Sequence, residues 1–163
     1  MSLPQASEAL RRRVLRRWAF GAHLWTKLPL AAFAGLRVAA LDDQVCTVIL
    51  PGGWRTQNPF RSTYFAAQAM AAELSTGAPA LMLAAGVPGS VSMLVREIKA
   101  VFGKKVVGQS LWVCRDVAAM REVVERAARS GESETFVARS VGQSADGTEV
   151  ARFEISWSFK RRG

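Results

Sequence analysis

The sequence predicts an α+β fold in which one curled antiparallel sheet wraps around a long central helix, with an extra helix at the N-terminus. Two observations carry that expectation. First, Ala66, Ala67, Ala69, Met70, Ala71, Ala72 and Leu74 leave no polar face on the helix they form. A helix that is apolar all round is buried rather than laid on a surface. Second, the rest of the chain is mostly short alternating segments joined by turn residues. In the last of them Ala151, Phe153, Ile155, Trp157 and Phe159 alternate with Arg152, Glu154, Ser156, Ser158 and Lys160. A buried helix needs cover on several sides, and a sheet that curls around it supplies that cover.

The elements follow in order. Ser7 is placed to cap a first helix, Glu8 to Lys27, with Leu10, Val14, Trp18 and Ala22 as its apolar stripe. Arg11, Arg12, Arg13, Arg16 and Arg17 crowd its other faces, and Pro29 ends or interrupts it. Leu36 to Ala40 and Cys46 to Leu50 read as strands joined by a turn at Asp42 and Asp43. Pro51, Gly52 and Gly53 lead into the central stretch, Trp54 to Gly77, whose helix continues past a kink at Pro79. Ser90 to Phe102, Val106 to Cys114 and Glu134 to Val141 are further strands. Asp116 is placed to cap a helix from Val117 to Arg129, and Asp146-Gly147 is a hairpin turn before the last strand.

The totals bound the reading. A chain of 163 residues suits a single domain, 1–163, made of a basic helix and linker, 1–35, and a core, 36–160. With half of its residues hydrophobic, general disorder is excluded. Cys46 and Cys114 fit no CxxC or zinc spacing and read as two reduced, buried thiols of a cytoplasmic protein; no metal site is expected. The N-terminus has arginines but no apolar run followed by a cleavage site, so no signal peptide is read there. The longest apolar run, Tyr64 to Val87, is interrupted by Glu73, Gly77 and Pro79 and does not suit a membrane span.

Glu73 is the residue that most needs explaining. An ionised carboxylate in an alanine-rich helix is costly unless something pairs with it or uses it. Burial would raise its pKa, which suits a general base or nucleophile; the plain alternative is an ion pair with an arginine across a dimer. Asn58 precedes the helix by a short loop and, with Pro59, has the pattern of a helix cap. Thr56, Gln57, Ser62 and Thr63 crowd the helix entrance, where they would either bind a carbonyl or phosphate or satisfy loop backbone. Tyr64 is the only tyrosine, suited to donating a hydrogen bond or to packing. His23 is the only histidine, and nothing beside it in the sequence suggests a Ser-His-Asp triad.

On the segment from Asn58 to Gly77 and on the order of elements from Leu36 to Lys160, the chain resembles the hotdog-fold, acyl-CoA thioesterase-like superfamily, and in particular an uncharacterised family within it. The resemblance implies a catalytic pair, Asn58 before the helix and Glu73 fifteen positions later. It implies that Gln57, Ser62, Thr63, Tyr64 and Phe65 line the substrate, with backbone N–H groups near Tyr64 and Phe65 meeting the thioester oxygen. Many such enzymes carry a His-Gly or Gly-Gly pair there; this chain has Tyr64 and Phe65. No cofactor is implied beyond a coenzyme A thioester as substrate or ligand.

Spacing bears on assembly. If the helix starts near Phe60, Glu73 lies ~20 Å from its first turn at 1.5 Å per residue. Asn58 and Glu73 of one chain then cannot meet around one atom. They can if two chains pair, and the resemblance implies homodimers with two shared sites, with a dimer of dimers left open. Two functions follow: hydrolysis of an acyl-CoA-type thioester, or non-catalytic binding of an acyl chain, acyl-CoA or acyl carrier. For the arginines, a solvated face is the default. Contact with coenzyme A phosphates or an acidic carrier protein, and contact of the first helix with a membrane surface, also remain open. No specific nucleic-acid motif is present, although the formal charge of +9 permits nonspecific contact.

Overall fold

The alternation that closes the sequence becomes the longest strand. A computed structural model describes residues 3–162, so residues 1–2 and 163 of the expected domain lie outside the described residues. In chain order the elements are α1 (Gln5–Leu15), α2 (Arg17–Lys27), α3 (Pro29–Ala34), β1 (Arg37–Leu41), β2 (Cys46–Leu50), α4 (Phe65–Ala85), β3 (Val91–Phe102), β4 (Ser110–Cys114), α5 (Val117–Ser130), β5 (Glu134–Ser144) and β6 (Glu149–Arg161). The strands form one antiparallel sheet ordered β1-β2-β4-β5-β6-β3. β6 lies between β5 and β3, and its odd-numbered side chains from Ala151 to Phe159 are all buried, as their spacing predicts.

The expected buried helix is α4, 21 residues long and covered from Ala67 to Ala84. Its alanines let the sheet come close, and hydroxyls stitch the middle of the helix to it. Ser75 Oγ donates to Ala72 O and contacts Ser140 Oγ of β5 at 2.7 Å; Trp157 Nε1 of β6 donates to Thr76 Oγ1 at 3.0 Å. Pro79 cannot donate to the helix ladder, yet α4 runs on to Ala85 without a break. Cys46 and Cys114, far apart in sequence, face each other across β2 and β4 as free, fully buried thiols. Burial pushes the Cys114 thiol up to about 11.

Three expectations are corrected, one by a backbone break and two because a side chain found a different partner. The first helix is two, α1 and α2, because Arg16 takes an extended conformation, and Pro29 then starts α3. Ser7 lies inside α1 and donates to Met82 O, fastening α1 to α4 instead of capping it. Asp116 precedes α5 but turns away from it, and its Oδ2 accepts the backbone N–H of Arg139.

The close fit of the sheet is sharpest at Gly142, which stands opposite Trp112 on β4. A Cβ there would lie 2.6 Å from the indole. Gly142→Val should therefore overpack the core, costing about 1–3 kcal/mol, and lower Tm by roughly 3–10 °C. An unchanged thermal melt would show that the Trp112 ring can give way.

Candidate active site

Glu73 lies on the half-buried side of α4, and its side chain runs along the helix over Gly77, one turn on. A Cβ at Gly77 would stand 3.0 Å from Glu73 Oε1 and 3.2 Å from the Trp157 ring, so glycine makes the room the carboxylate occupies. The carboxylate faces a cavity of about 330 Å³. Its walls are mostly apolar: Leu10 and Val14 of α1, Phe20 of α2, Leu81 of α4, Met93 of β3 and Trp157 of β6. Arg13 and His23 are the other ionisable side chains of the lining. The volume falls within the usual range for small-molecule sites, roughly 300–1,000 Å³.

Glu73 has no hydrogen-bond or ion-pair partner for its carboxylate among the described residues. Burial alone acts on it, and burial raises its pKa above the ordinary 4.5. No arginine of its own chain pairs with it among the described residues. A carboxyl in such a place is easily protonated and, once ionised, is a stronger base than one in water.

Asn58 does different work from a helix cap. α4 begins at Phe65 with Tyr64 as its N-cap, not near Phe60. Asn58 instead clasps the turn ahead of it: Oδ1 accepts from Phe60 N at 3.0 Å, Ser62 N at 3.2 Å and Ser62 Oγ at 3.2 Å. Arg61 within that turn has φ +57°. Gln57 pairs with Thr63 in an isolated antiparallel bridge, and Tyr64 N–H donates to Thr56 O at 2.7 Å. The Tyr64 amide is therefore spent. The amides of Phe65 and Ala66, at the start of α4, have no acceptor among the described residues.

These residues form a second cleft, of about 350 Å³, between the α4 entrance and the segment after β3. Asn58, Ser62, Thr63, Tyr64 and Phe65 line it, facing Lys104 and Lys105. Gln68 donates through Nε2 to Thr63 O, while its buried Oε1 is without a partner. Spacing in the sequence marks neither Lys104 and Lys105 nor His23 for these clefts, because chain folding alone brings them there. Glu73 lies about 8 residues past Phe65, ~12 Å along the helix. That is shorter than the ~20 Å that a start at Phe60 implied, yet still too far to share one atom. The two cavities have no lining residue in common. Among the described residues no three His, Cys, Asp or Glu side chains converge as metal ligands.

The chain belongs to the family described as Domain of unknown function (DUF4442), whose profile matches residues 16–159. Comparison with curated proteins gives no significant match. Among solved structures, a Pseudomonas aeruginosa protein described as a probable thioesterase is similar at 20% identity and TM-score 0.70, over 98% of this chain and 99% of that one. A Chlorobaculum tepidum protein of unknown function aligns at 13% identity and TM-score 0.77, over 98% of both chains. A Staphylococcus aureus thioesterase aligns at 13% identity and TM-score 0.63, over 81% of this chain and 98% of that one. That protein was solved with a glutamine replaced, and a second variant replaces a glutamate fifteen positions later. At these identities the likeness establishes the fold alone, which is the hotdog fold.

The raised pKa of Glu73 has a thermodynamic consequence. A carboxyl that is harder to ionise when folded contributes stability in full below its ordinary 4.5, and that stability is lost as pH rises through the raised value. Glu73→Gln keeps the shape and removes the charge. Its Tm should equal or exceed that of the wild type at pH 8, with the gap closing as pH falls toward 4.5. A fall of several degrees at pH 8 would instead mean that Glu73 is held by a cation.

Proposed function

We propose that the protein hydrolyses an acyl-CoA-type thioester at a site shared between the two chains of a homodimer. The observation that carries this reading is the unpartnered Glu73 carboxylate at the wall of an apolar cavity. Glu73 takes a proton from water, and the hydroxide attacks the thioester carbonyl. The partner's free helix-start amides stabilise the oxyanion. Collapse of the tetrahedral intermediate expels the thiolate, which takes the proton back from Glu73. The apolar cavity receives the acyl chain, and Lys104 and Lys105 beside the start of α4 meet coenzyme A phosphates. Asn58 keeps the turn before α4 in shape and so acts on position, where the resemblance implied a catalytic role. The glutamine–glutamate pair substituted in the S. aureus thioesterase, fifteen apart like Asn58 and Glu73, supports the pairing of these two regions.

Support for the dimer comes from β3, one of the two edge strands of the sheet. Leu94 and Val101, 59% and 71% exposed, stand on one face of this strand, and Ile98 and Phe102, also exposed, stand on the other. Phe102 packs edge-on against Phe65, so this apolar edge continues into the α4 entrance. A long, exposed apolar edge is a template for pairing. A second copy joined there brings each α4 entrance toward the other chain's cavity side.

The non-catalytic reading, an acyl or acyl-CoA binding protein, is favoured by one feature. Tyr64 and Phe65 pack against each other at the α4 entrance, 4.8 Å between ring centroids, where small residues would give substrate easier access. A panel of acyl-CoA thioesters with thiol detection separates the two. Hydrolysis that falls by roughly 10²–10⁴ in Glu73→Gln, with acyl-CoA binding retained, is the expected result. Binding without turnover by the wild type assigns the carrier role.

The shared site has its own test. Phe65→Pro removes one helix-start amide at a position where proline fits, because Tyr64 is already extended. Phe65→Ala controls for the lost ring. Glu73→Gln and Phe65→Pro should each be inactive alone. Mixed after dissociation, they should recover about a quarter of wild-type activity, since half the dimers are mixed and each restores one site. No recovery, or a stable monomer by light scattering, rejects the shared site.

A further inference from the structure

Helix α2 is apolar on two opposite sides, and the fold uses only one. Phe20 and Leu24 are buried against the core. Trp18 and Trp25, seven residues apart and so on one face of the helix, point outward at 73% and 60% exposure. The apolar surface continues into α3, where Leu30 is 74% exposed and Phe33 packs edge-on against exposed Trp54 at 5.8 Å. Cations accompany it. Arg16 lies over the Trp18 ring at 5.8 Å, and Arg17 and Lys27 stand at the two ends of α2. Residues 9–72 carry nine Lys and Arg against only Asp42 and Asp43.

We propose that this α2–α3 face docks on an anionic lipid surface. Aromatic and aliphatic side chains at the interface, ringed by Arg and Lys, match an amphipathic helix that lies in the headgroup layer. Charge complementarity selects the occupant. A second copy would bring the same cations against themselves. A nucleic acid would use the cations and rings but leave Leu30 in water. No described helix is long and apolar enough to cross a membrane, so the contact is superficial. Leu28, half exposed beside this face, also lines the Glu73 cavity, which places the cavity next to the lipid. The inference goes beyond the proposed hydrolysis and is read without turnover, so either can fail alone.

Full-length protein would be sedimented with vesicles of phosphatidylglycerol and phosphatidylcholine in equal parts, and with phosphatidylcholine alone. Binding to the first and not the second, weakened by salt and accompanied by a blue shift of tryptophan emission, is expected. Arg16→Gln/Arg17→Gln/Lys27→Gln should weaken it roughly a hundredfold, at about one order of surface attraction lost per one to two cations. Trp18→Ser/Trp25→Ser/Leu30→Ser should reduce the blue shift and weaken binding at least about tenfold with the charges intact. None of these six residues lines the Glu73 cavity. The proposal is overturned if anionic vesicles leave the protein in the supernatant at low salt. It is equally overturned if the apolar variant binds like the wild type, if the apolar variant alone changes the oligomeric mass, or if labelled oligothymidylate binds and vesicles do not.

Discussion

A helix without a polar face has to be covered on every side, and most of this architecture answers to that need in α4. Its alanines let β2, β4 and β5 come near, and the sheet curls because it must follow a cylinder. One side of the cylinder remains outside the sheet, and α1 covers it, fastened by the Ser7–Met82 hydrogen bond. The cavity beside Glu73 arises where that cover is incomplete, between α1, α2 and the β3–β6 side of the sheet. Cover for the helix and wall for the cavity are therefore the same elements.

Where packing follows from local period, the sequence could be read well. The odd residues of β6 are buried because a strand places alternate side chains on opposite faces, and nothing distant changes that. The Asp146–Gly147 turn is likewise local: Gly147 has φ +83° and Asp146 Oδ1 accepts Thr148 N–H. Capping was less legible. Ser7, Asn58 and Asp116 are all good cap residues, and each binds elsewhere, to α4, to its own turn and to β5. A short polar side chain satisfies whichever backbone group the fold brings near, and that choice is made in three dimensions.

The site divides along the same line. Glu73 was legible because a lone carboxylate among alanines violates a local rule. Its cavity was not, because Leu10, Phe20, Met93 and Trp157 come from four elements that only the folded chain unites. The helix start was misplaced by five residues because Pro59 looked like a first helical residue, whereas Asn58 had closed a separate turn around it. Moving the start to Phe65 changed which amides are free. Tyr64 donates to Thr56, and the two unpaired donors shift to Phe65 and Ala66.

The middle of α4 holds an unusual concentration of poor choices. Glu73 is a desolvated acid, Gly77 costs about 1 kcal/mol relative to alanine in a helix, and Pro79 costs about 3. All lie within two turns, and Glu73 and Gly77 line the same cavity. Elsewhere α4 is mostly alanine, leucine and methionine, which suit both the helix and the core. Gly77 cannot be exchanged freely, because Trp157 and Glu73 together occupy the space of its missing Cβ. Trp157 in turn is held by Thr76, whose hydroxyl also donates to Glu73 O. The carboxylate is thus seated by a glycine beneath it and by an indole tied back to its own helix turn. Sequences that specify one fold satisfy local rules nearly everywhere, and departures gather where function requires them. Here they gather around one carboxylate, and that concentration is the physical argument for the role proposed for Glu73.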